Sequence, residues 1–236
     1  MKKLILGATG SIGSSLARKL VEDGSEVHLA GRDEPSLSSL ASELNCTFTT
    51  CDVLEENFSE KIKNDLGDTA LNGLAYCVGS IDLKPLKLTK KSDFMQSFNL
   101  NLISAVEIIR ANYENLKINK GSIVLFSTVA VRKGFTNHSI VSSAKGAVEG
   151  LTLALAAEYA PNIRVNCIAP SLTKSKISEF LLKNEKIADG IAKMHPLKRI
   201  GEGSDSSSLA KFLLSNESTW ITGQILGVDG GRSSIA

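Results

Sequence analysis

The chain has 236 residues, of which 42% are hydrophobic, and its 27 Lys and Arg residues against 25 Asp and Glu residues give a net charge of +2. This length suits one well-buried core and is short for two, so we expect a single domain over residues 1–236. The basic residues are scattered along the chain, which argues against binding of nucleic acid or an anionic membrane and favours a small-molecule partner.

The sequence carries no clear signal for export or membrane insertion. No apolar run approaches the ~18 residues needed to span a bilayer. The opening MKKLIL has the charge of a signal peptide, but GATGSIG interrupts it before an apolar region of adequate length forms. The four cysteines show neither Cys-x-x-Cys spacing nor nearby histidines, so we predict buried reduced thiols, no metal site and a cytoplasmic location.

Short β-type runs alternate with longer segments of helical spacing along the chain. The β-type runs lie at 3–7, 26–30, 46–51, 71–78, 121–127, 163–169 and 224–229. Helical spacing occurs near 13–23, 36–44, 92–116, 140–160 and 205–215. Because parallel strands need crossovers of helical length, this alternation predicts a doubly wound α/β fold with a parallel sheet of about seven strands and helices on both faces.

One polar segment, residues 171–203, interrupts the alternation and contains no strand signal. Ligands of such folds bind at the carboxyl edge of the sheet. We therefore expect this segment to pass over that edge and to line the substrate side of a site. An amphipathic surface helix is the alternative interpretation of its apolar residues.

The first chemical motif is LILGATGSIGSSLA, in which Gly7, Gly10 and Gly13 lie between a predicted strand and a predicted helix. Glycines at such a turn let the backbone approach a pyrophosphate, while the helix N-terminus presents free N–H groups and the positive end of its dipole. We predict dinucleotide binding here, with Ser11 and Ile12 at the start of the helix. An ordinary tight turn is the alternative.

The second motif, LAGRDEPSL, follows the second predicted strand. Folds that bind NAD place an acid at this point to hold the ribose hydroxyls, whereas an arginine can pair with a 2′-phosphate. Arg32 comes directly after Gly31, and Asp33 follows it. Arg32 therefore favours NADP(H), although NAD stays open, and a solvated charged turn is the alternative.

An ordered series of motifs resembles the short-chain dehydrogenase/reductase family over nearly the whole chain. The series is LILGATGSIG, CDV (51–53), FNLNLISA (98–105), GSIVLFSTVA (121–130), SSAKGAVEGLTLALAAEYAP (142–161), IRVNCIAPSLT (163–173) and TGQILGVDGG (222–231). The resemblance implies a Rossmann-type fold, a nicotinamide dinucleotide and hydride transfer between that cofactor and a carbonyl or alcohol. It also implies a homodimer or homotetramer packed through the helices near 92–116 and 140–160.

The resemblance assigns cofactor contacts beyond the glycine turn. Asp52 and Val53 correspond to residues that hold the adenine, and the segment from Pro170 to Thr173 to one that holds the nicotinamide. The family's Asn-Asn-Ala-Gly segment appears here as YCVG, in which Tyr76 and Cys77 replace two polar groups. The cofactor-binding residues so predicted are Gly7, Gly10, Ser11, Ile12, Gly13, Arg32, Asp52, Val53, Cys77, Gly79, Lys145, Pro170 and Thr173.

The family's reaction centre uses an asparagine, a serine, a tyrosine and a lysine. Asn101 matches the asparagine and Lys145 the lysine, while the serine aligns with Thr128, next to Ser127. The resemblance implies that Lys145 binds the nicotinamide ribose and lowers the pKa of the acid, and that Thr128 polarises a carbonyl. The tyrosine aligns with Val141, which has no proton to give, and a positioned acid typically contributes ~10²–10⁴-fold in rate.

Three hypotheses account for Val141. In the first, the protein is an oxidoreductase and Ser142, His138 or an ordered water supplies the proton. In the second, the protein binds a dinucleotide without catalysis and acts as a regulatory or partner-binding module. In the third, it catalyses a non-redox reaction on the same scaffold. A helix that reached residue 138 would place His138 on one face with Val141, Ser142 and Lys145.

Overall fold

The computed structural model describes residues 1–235, and Ala236, the last residue of the predicted domain, lies outside them. Seven strands form one sheet in the order β3-β2-β1-β4-β5-β6-β7, and every pairing is parallel. The strands are β1 Lys2–Leu6, β2 Glu26–Gly31, β3 Thr47–Thr50, β4 Leu71–Tyr76, β5 Ser122–Phe126, β6 Arg164–Pro170 and β7 Ile225–Val228. The predicted fold class is confirmed.

Helices cover both faces of the sheet. They are α1 Ser11–Glu22, α2 Glu34–Leu44, α3 Phe58–Leu66, α4 Lys91–Phe98, α5 Ser104–Ala111, α6 Tyr113–Ile118, α7 Ser139–Tyr159, α8 Glu179–Leu182, α9 Glu185–Lys193 and α10 Gly203–Leu214. Helices α1, α2 and α10 pack on one face, and α3, α5, α6 and α7 pack on the other. Each face therefore has its own apolar core.

The alternation of side chains along each strand divides the apolar residues between these two cores. In β1, Leu4 and Leu6 belong to the core under α3, α5 and α7, whereas Ile5 belongs to the core under α1, α2 and α10. In β4, Leu74 belongs to the core under α3, α5 and α7, and Ala75 belongs to the core under α1, α2 and α10. A parallel strand buried on both faces is typically a near-continuous apolar run, which is the pattern at most strand positions, with buried polar exceptions such as His28 in β2.

The predicted helix near 92–116 is divided into four parts. Helix α4 passes into a π-helix at Asn99–Ile103, which continues as α5, and the chain then turns at Asn112 into α6. A π turn adds one residue without interrupting the apolar spacing on either side of it, so the sequence resembles one uninterrupted helix. Helix α3 was not predicted, because only Phe58, Ile62 and Leu66 are buried in an otherwise polar segment.

Segment 171–203 has no extended strand of its own but contains α8 and α9, and it returns to its start through a bridge between Thr173 and Gly201. The bridge closes the segment into a loop that follows the carboxyl end of β6. Among the described residues, α7 is the one helix that is long and apolar enough to cross a membrane by length and composition. It packs against β6 and buries Ile140, Ala144 and Val148, as a core helix does.

A buried polar network lies between β2, β3 and α3. The two ring nitrogens of His28 lie 2.8 Å from Thr47 Oγ1 and 2.9 Å from Thr49 Oγ1, and Thr49 donates to Asp65. His28 is 1% exposed. Burial, reinforced by the nearby Lys2 charge, lowers the pKa of His28 from 6.5 to about 4.

The network predicts a loss of stability in mild acid. A histidine that is neutral in the folded state and protonates near pH 6.5 when unfolded stabilises the fold fully above pH 6.5, and this contribution falls away as the pH drops towards about 4. The free energy of unfolding should therefore fall by roughly 2 kcal/mol between pH 7 and pH 5 on account of His28. Urea unfolding across this range should show a flatter pH dependence for His28→Gln than for wild type. An unchanged slope in His28→Gln would contradict the assignment.

Candidate active site

The turn between β1 and α1 is a backbone cradle. Gly7 has φ 72°, and a Cβ at that position would lie 2.9 Å from the carbonyl carbon and oxygen of Cys77. A Cβ at Gly13 would overlap the carbonyl oxygen of Gly7. Helix α1 begins at Ser11 with Gly10 as its N-cap, and no side chain among the described residues caps it. The first N–H groups of α1 therefore face outward over the end of β1, where an anion would meet them.

Arg32 and Asp52 lie together at the carboxyl ends of β2 and β3. Arg32 Nη1 is 3.4 Å from Asp52 Oδ2, and the Arg32 side chain is 71% exposed. Asp33 is the N-cap of α2, where it accepts hydrogen bonds from the backbone N–H and the hydroxyl of Ser36. These bonds lower the pKa of Asp33. The carboxylate that follows Arg32 is thus engaged by its own helix, whereas the guanidinium is open to solvent.

Two buried hydroxyls attach the strands to the segment that carries Asn101. Ser104 Oγ lies 2.7 Å from the carbonyl oxygen of Val53 and 2.8 Å from that of Asn99. Tyr76 donates its hydroxyl proton to the Leu100 carbonyl at 2.7 Å. Although Tyr76 stands where the family has a polar group, it thus links β4 to the π-helix.

Asn101 and Lys145 converge on Gly79. A Cβ on Gly79 would lie 3.0 Å from Lys145 Nζ and 3.1 Å from Asn101 Oδ1, so both polar atoms are within about 3 Å of one point. The Asn101 amide nitrogen donates to the Ser97 carbonyl at 2.8 Å. Its Oδ1 is buried and has no hydrogen-bond partner among the described residues. An unsatisfied buried acceptor beside an ammonium is a place for a polar ligand or water.

Lys145 is 6% exposed and forms no ion pair among residues 1–235. Burial lowers the pKa of its ammonium from 10.5 to about 8. Desolvation disfavours the charged form, and the nearby thiols of Cys167 and Cys77 offset only part of this effect. The folded protein therefore keeps this cation at an energetic cost.

Thr128 lies two residues after β5 and is the N-cap of a short 3₁₀ turn at Val129–Val131. Its Oγ1 accepts a hydrogen bond from the Ala130 N–H at 3.3 Å, which leaves the hydroxyl proton free to donate. Ser127 donates to Glu149 Oε1 at 2.7 Å and lies 3.3 Å from the Lys145 carbonyl oxygen. Sequence reasoning missed Glu149, although its position four residues after Lys145 places both on one helix face.

Val141 is 5% exposed on α7, one turn before Lys145. The adjacent Ser142 donates its hydroxyl proton to the Ala130 carbonyl at 3.0 Å. His138 precedes the first residue of α7, its Nδ1 lies 2.8 Å from the Thr136 carbonyl oxygen, and its ring packs on Phe135. The helix therefore does not extend to His138, and both alternative proton donors already contact backbone carbonyls.

The segment after β6 is fixed at both ends. Pro170 ends the strand, and the Ser171 N–H donates to the Val228 carbonyl of β7. Thr173 donates its hydroxyl to the Ser171 carbonyl at 3.0 Å. His195, which is buried and was not singled out in the sequence, lies 2.8 Å from Ser171 Oγ and connects this segment to the end of α9. Among the described residues, no group of three His, Cys, Asp or Glu side chains is placed to hold a metal ion.

Comparison with known proteins identifies relatives over almost the full length. A family model described as enoyl-(acyl carrier protein) reductase matches residues 7–233. A tropinone reductase homologue of Arabidopsis thaliana, named as chloroplastic, is 33% identical over 243 residues, which cover 99% of this chain and 76% of that protein. A second homologue from the same plant is 33% identical and covers 97% of this chain and 90% of its own.

A solved structure with the same fold contains a cofactor. The gluconate 5-dehydrogenase of Burkholderia cenocepacia, in complex with NADP and tartrate, superposes with a TM-score of 0.93. It is 25% identical in sequence, and the match covers 100% of this chain and 96% of that one.

The buried ammonium predicts that Lys145→Met stabilises the protein in the absence of ligands. Because the folded pKa is about 8 and the unfolded pKa is 10.5, the cost of burying the charge is full below pH 8 and disappears as the pH rises to about 10.5. At pH 7 the variant should gain roughly 2–3 kcal/mol in free energy of unfolding, a gain that shrinks as the pH approaches 10. Denaturant unfolding at both pH values measures it. The control Lys63→Met, at an exposed position of α3, should show no such gain, and a destabilised Lys145→Met at pH 7 would refute the prediction.

Proposed function

The chain belongs to the short-chain dehydrogenase/reductase family, and on that premise we propose that it is an NADP(H)-dependent oxidoreductase acting on a small carbonyl or alcohol compound. The observation that carries the proposal is the convergence of Lys145 Nζ and the unpartnered Asn101 Oδ1 on Gly79. Fold alone does not determine activity, so the proposal depends on these atoms.

The residues present fit a nicotinamide dinucleotide. The cradle at Gly7 and Gly13 admits no side chain, and the open N-terminus of α1 suits a pyrophosphate. The remaining contacts of the cofactor in this proposal come from Ser11, Ile12, Gly10, Asp52, Val53, Cys77, Gly79, Lys145, Pro170 and Thr173. When bound, the cofactor supplies or accepts the hydride.

The preference for NADP(H) over NAD(H) rests on Arg32. Its guanidinium is exposed and, among the described residues, contacts only Asp52, through Nη1 at 3.4 Å, so its other N–H groups are available for paired hydrogen bonds with a 2′-phosphate. The neighbouring carboxylate of Asp33, which could instead bind ribose hydroxyls, is engaged by Ser36. Both observations support the same preference.

Two groups of the chain carry out the proposed chemistry at the carbonyl. Thr128 donates its free hydroxyl proton as a hydrogen bond to the substrate oxygen, which becomes negative as the carbonyl is reduced. Lys145 holds the ribose of the cofactor and keeps a positive charge near the reacting oxygen. Val141 contributes no proton, so the acid has to be another group.

We propose that an ordered water bridges Lys145 and Asn101 and delivers the proton. Such a water donates to the buried Asn101 Oδ1 and accepts from the ammonium, which satisfies an atom that otherwise has no partner. The proton passes from the water to the substrate oxygen, and the Lys145 ammonium replaces it. A pKa of about 8 suits this transfer at neutral pH. Ser142 is a weaker candidate for the proton donor, since its hydroxyl already donates a hydrogen bond to the Ala130 carbonyl.

The second candidate function is a dinucleotide-binding module without catalysis. The observation that favours it is the burial of an aliphatic side chain, Val141, one helical turn before Lys145. In that case the cofactor binds as described but no substrate is turned over, and the protein acts through a partner or as a redox sensor.

The proposal also includes the oligomeric state, the cellular compartment and the domain organisation of the protein. Met95, Ile103 and Leu153 are large apolar residues about half exposed on α4, the adjoining π-helix and α7, which supports a homodimer or homotetramer packed through these helices. The four cysteines are unpaired, which supports a reducing compartment such as the cytoplasm. One continuous sheet supports a single domain over residues 1–236.

Calorimetric titration tests the cofactor. Wild type should bind NADPH more tightly than NADH, and Arg32→Ala should remove most of that preference by weakening NADPH alone. The loss of a charge-assisted pair is worth roughly 1.5–3 kcal/mol, or about 10- to 150-fold in Kd. Equal or tighter binding of NADH by wild type would refute the preference. Failure to bind either cofactor would refute the proposed function.

Restoring a phenol tests the reaction centre. Val141→Tyr places a hydroxyl one helical turn before Lys145, whose charge favours the phenolate, so carbonyl reduction with NADPH should increase roughly 10- to 1000-fold. Cofactor affinity should change little, because the glycine turn and Arg32 are untouched. A panel of aldehydes, ketones and quinones is screened with wild type, Val141→Tyr and Val141→Tyr/Lys145→Ala. The last variant should lose the gain.

The outcomes of this screen separate the two candidate functions. Turnover by wild type supports the water-mediated route, and activity that appears only in Val141→Tyr supports the binding module. A folded, cofactor-bound Val141→Tyr without activity on any substrate shows that more than one group is missing.

A further inference from the structure

A cavity of about 380 Å³ opens beside the candidate active site. Two of its lining residues are close to the reacting groups in sequence: Ser142 follows Val141, and Ala130 is two residues after Thr128. Ala130 is hydrogen-bonded to both Thr128 and Ser142. The lining residues of the cavity are Leu86, Ala130, Val131, Gly134, Phe135, Asn137, His138, Ser139 and Ser142. A compound bound here would extend directly away from the reacting groups.

The lining is apolar on the side formed by Leu86, Val131 and Phe135. His138 is the one titratable side chain among the lining residues. The two sides of the cavity are joined, because the Lys84 N–H donates to the Asn137 carbonyl at 3.0 Å. The cavity therefore suits a mainly apolar body, whose burial provides the binding free energy.

Positive charge is concentrated in the segments that follow β4, β5 and β6, the first two of which contribute residues to the lining of this cavity. Residues 80–92, 128–138 and 171–203, which follow β4, β5 and β6, contain thirteen Lys and Arg residues against five Asp and Glu residues. The rest of the chain contains fourteen against twenty. A nearly neutral chain thus presents a net positive edge at the substrate side, and such a field raises the local concentration of anions.

Some of these cations are already paired, including Lys84 with Asp93 at 2.8 Å and Arg199 with Asp205. Two cations next to the cavity are not fully neutralised. Lys87 follows the lining residue Leu86, is exposed and forms no ion pair within residues 1–235. Arg132 follows the lining residue Val131 and is 59% exposed.

Arg132 retains most of its capacity to bind an anion. It lies 3.5 Å from Glu149 Oε2, whereas the other oxygen of that carboxylate already accepts from Ser127 at 2.7 Å. The contact between Arg132 and Glu149 is too long for a hydrogen bond of good geometry. The five N–H donors of the guanidinium are therefore largely available.

The cofactor does not account for these charges. In the proposed function its phosphates lie at the β1–α1 turn and beside Arg32, at the ends of β1 and β2. Lys87 and Arg132 follow β4 and β5, the two strands next to β1 on the side away from β2. They are placed for a different anion.

We propose that the cavity binds the apolar body of a carbonyl substrate that carries an anionic group, a carboxylate or a phosphate, and that Lys87 and Arg132 neutralise that group at the rim. That the substrate contains a carbonyl rests on the proposed function. That it carries an anionic group rests on the cavity and the cations beside it. Most charges of the sequence are scattered, but Lys87 and Arg132 each directly follow a lining residue, Leu86 and Val131. The two cations therefore lie on the two sides of the same cavity.

Matched substrates test the anionic group. Turnover with NADPH is measured for 5-oxohexanoate, its neutral methyl ester and an oxoalkyl phosphate of equal chain length, at pH 8 and at low and moderate salt. The expected result is a lower KM for an anionic compound than for the ester, with the difference reduced by salt. The preferred anion distinguishes carboxylate from phosphate. A preference for the ester would overturn the inference and leave the proposed function standing.

Charge reversal locates the contact. Lys87→Glu should raise the KM for the anionic substrate roughly threefold to tenfold and leave that for the ester within about twofold, since exposed charge pairs are worth up to about 1 kcal/mol each. The control Lys63→Glu makes the same change in net charge in the last turn of α3, at the opposite edge of the sheet, and should alter neither KM. Equal effects of the two reversals would overturn the role of Lys87. Arg132→Gln should act in the same direction as Lys87→Glu.

A binding measurement separates this inference from the proposed function. Ligand-observed NMR titration compares 4-phenylbutyrate with its neutral amide, for wild type, Lys87→Glu and Lys63→Glu, with and without NADPH. Selective binding of the carboxylate that is lost in Lys87→Glu supports the anion site even where no substrate is turned over. Equal binding of acid and amide overturns it, whatever the activity.

Discussion

The face of the sheet covered by α1, α2 and α10 depends on one close contact between backbone segments, at the end of β1. Gly13 lies against the Gly7 carbonyl so closely that no side chain fits between them. Helix α1 therefore starts directly over the strand. The same restriction recurs where Gly203, the first residue of α10, lies against the Ser11 carbonyl. The starts of α1 and α10 therefore meet at very short range beside the cradle.

The candidate site combines two features that oppose stability. One is a buried ammonium, and the other is a π-helix that holds Asn101 with its oxygen unsatisfied. In a regular helix, removal of the extra residue would rotate every later side chain by about 100° relative to the preceding turn, so Asn101 and the residues of α5 could not both keep their present directions. Both features meet at Gly79, where the absence of a side chain lets the ammonium and the amide oxygen approach the backbone closely.

The strands and the carboxyl-edge position of the site could be predicted, because a parallel sheet covered on both faces requires continuous apolar runs separated by helices. The π-helix could not, since an added residue preserves the apolar spacing on both sides of Asn101. The role of Glu149 was accessible from its spacing to Lys145. The meeting of Gly79, Asn101 and Lys145 was not accessible from spacing, because these residues belong to three distant segments and only the tertiary fold brings their atoms together.

The strand order has a consequence for the chain as it leaves the ribosome. After β1, β2 and β3 extend the sheet on one side, and β4 to β7 extend it on the other in the order of synthesis. Each new strand can dock on the edge that the previous one formed. Helix α1, however, packs against α10, and Ser15 is hydrogen-bonded to Ser207. The side of α1 that packs on β1, β2 and α2 is covered early, but the side that faces α10 stays uncovered until the last part of the chain emerges. A nascent chain halted before residue 203 would expose that side to chaperones and proteases.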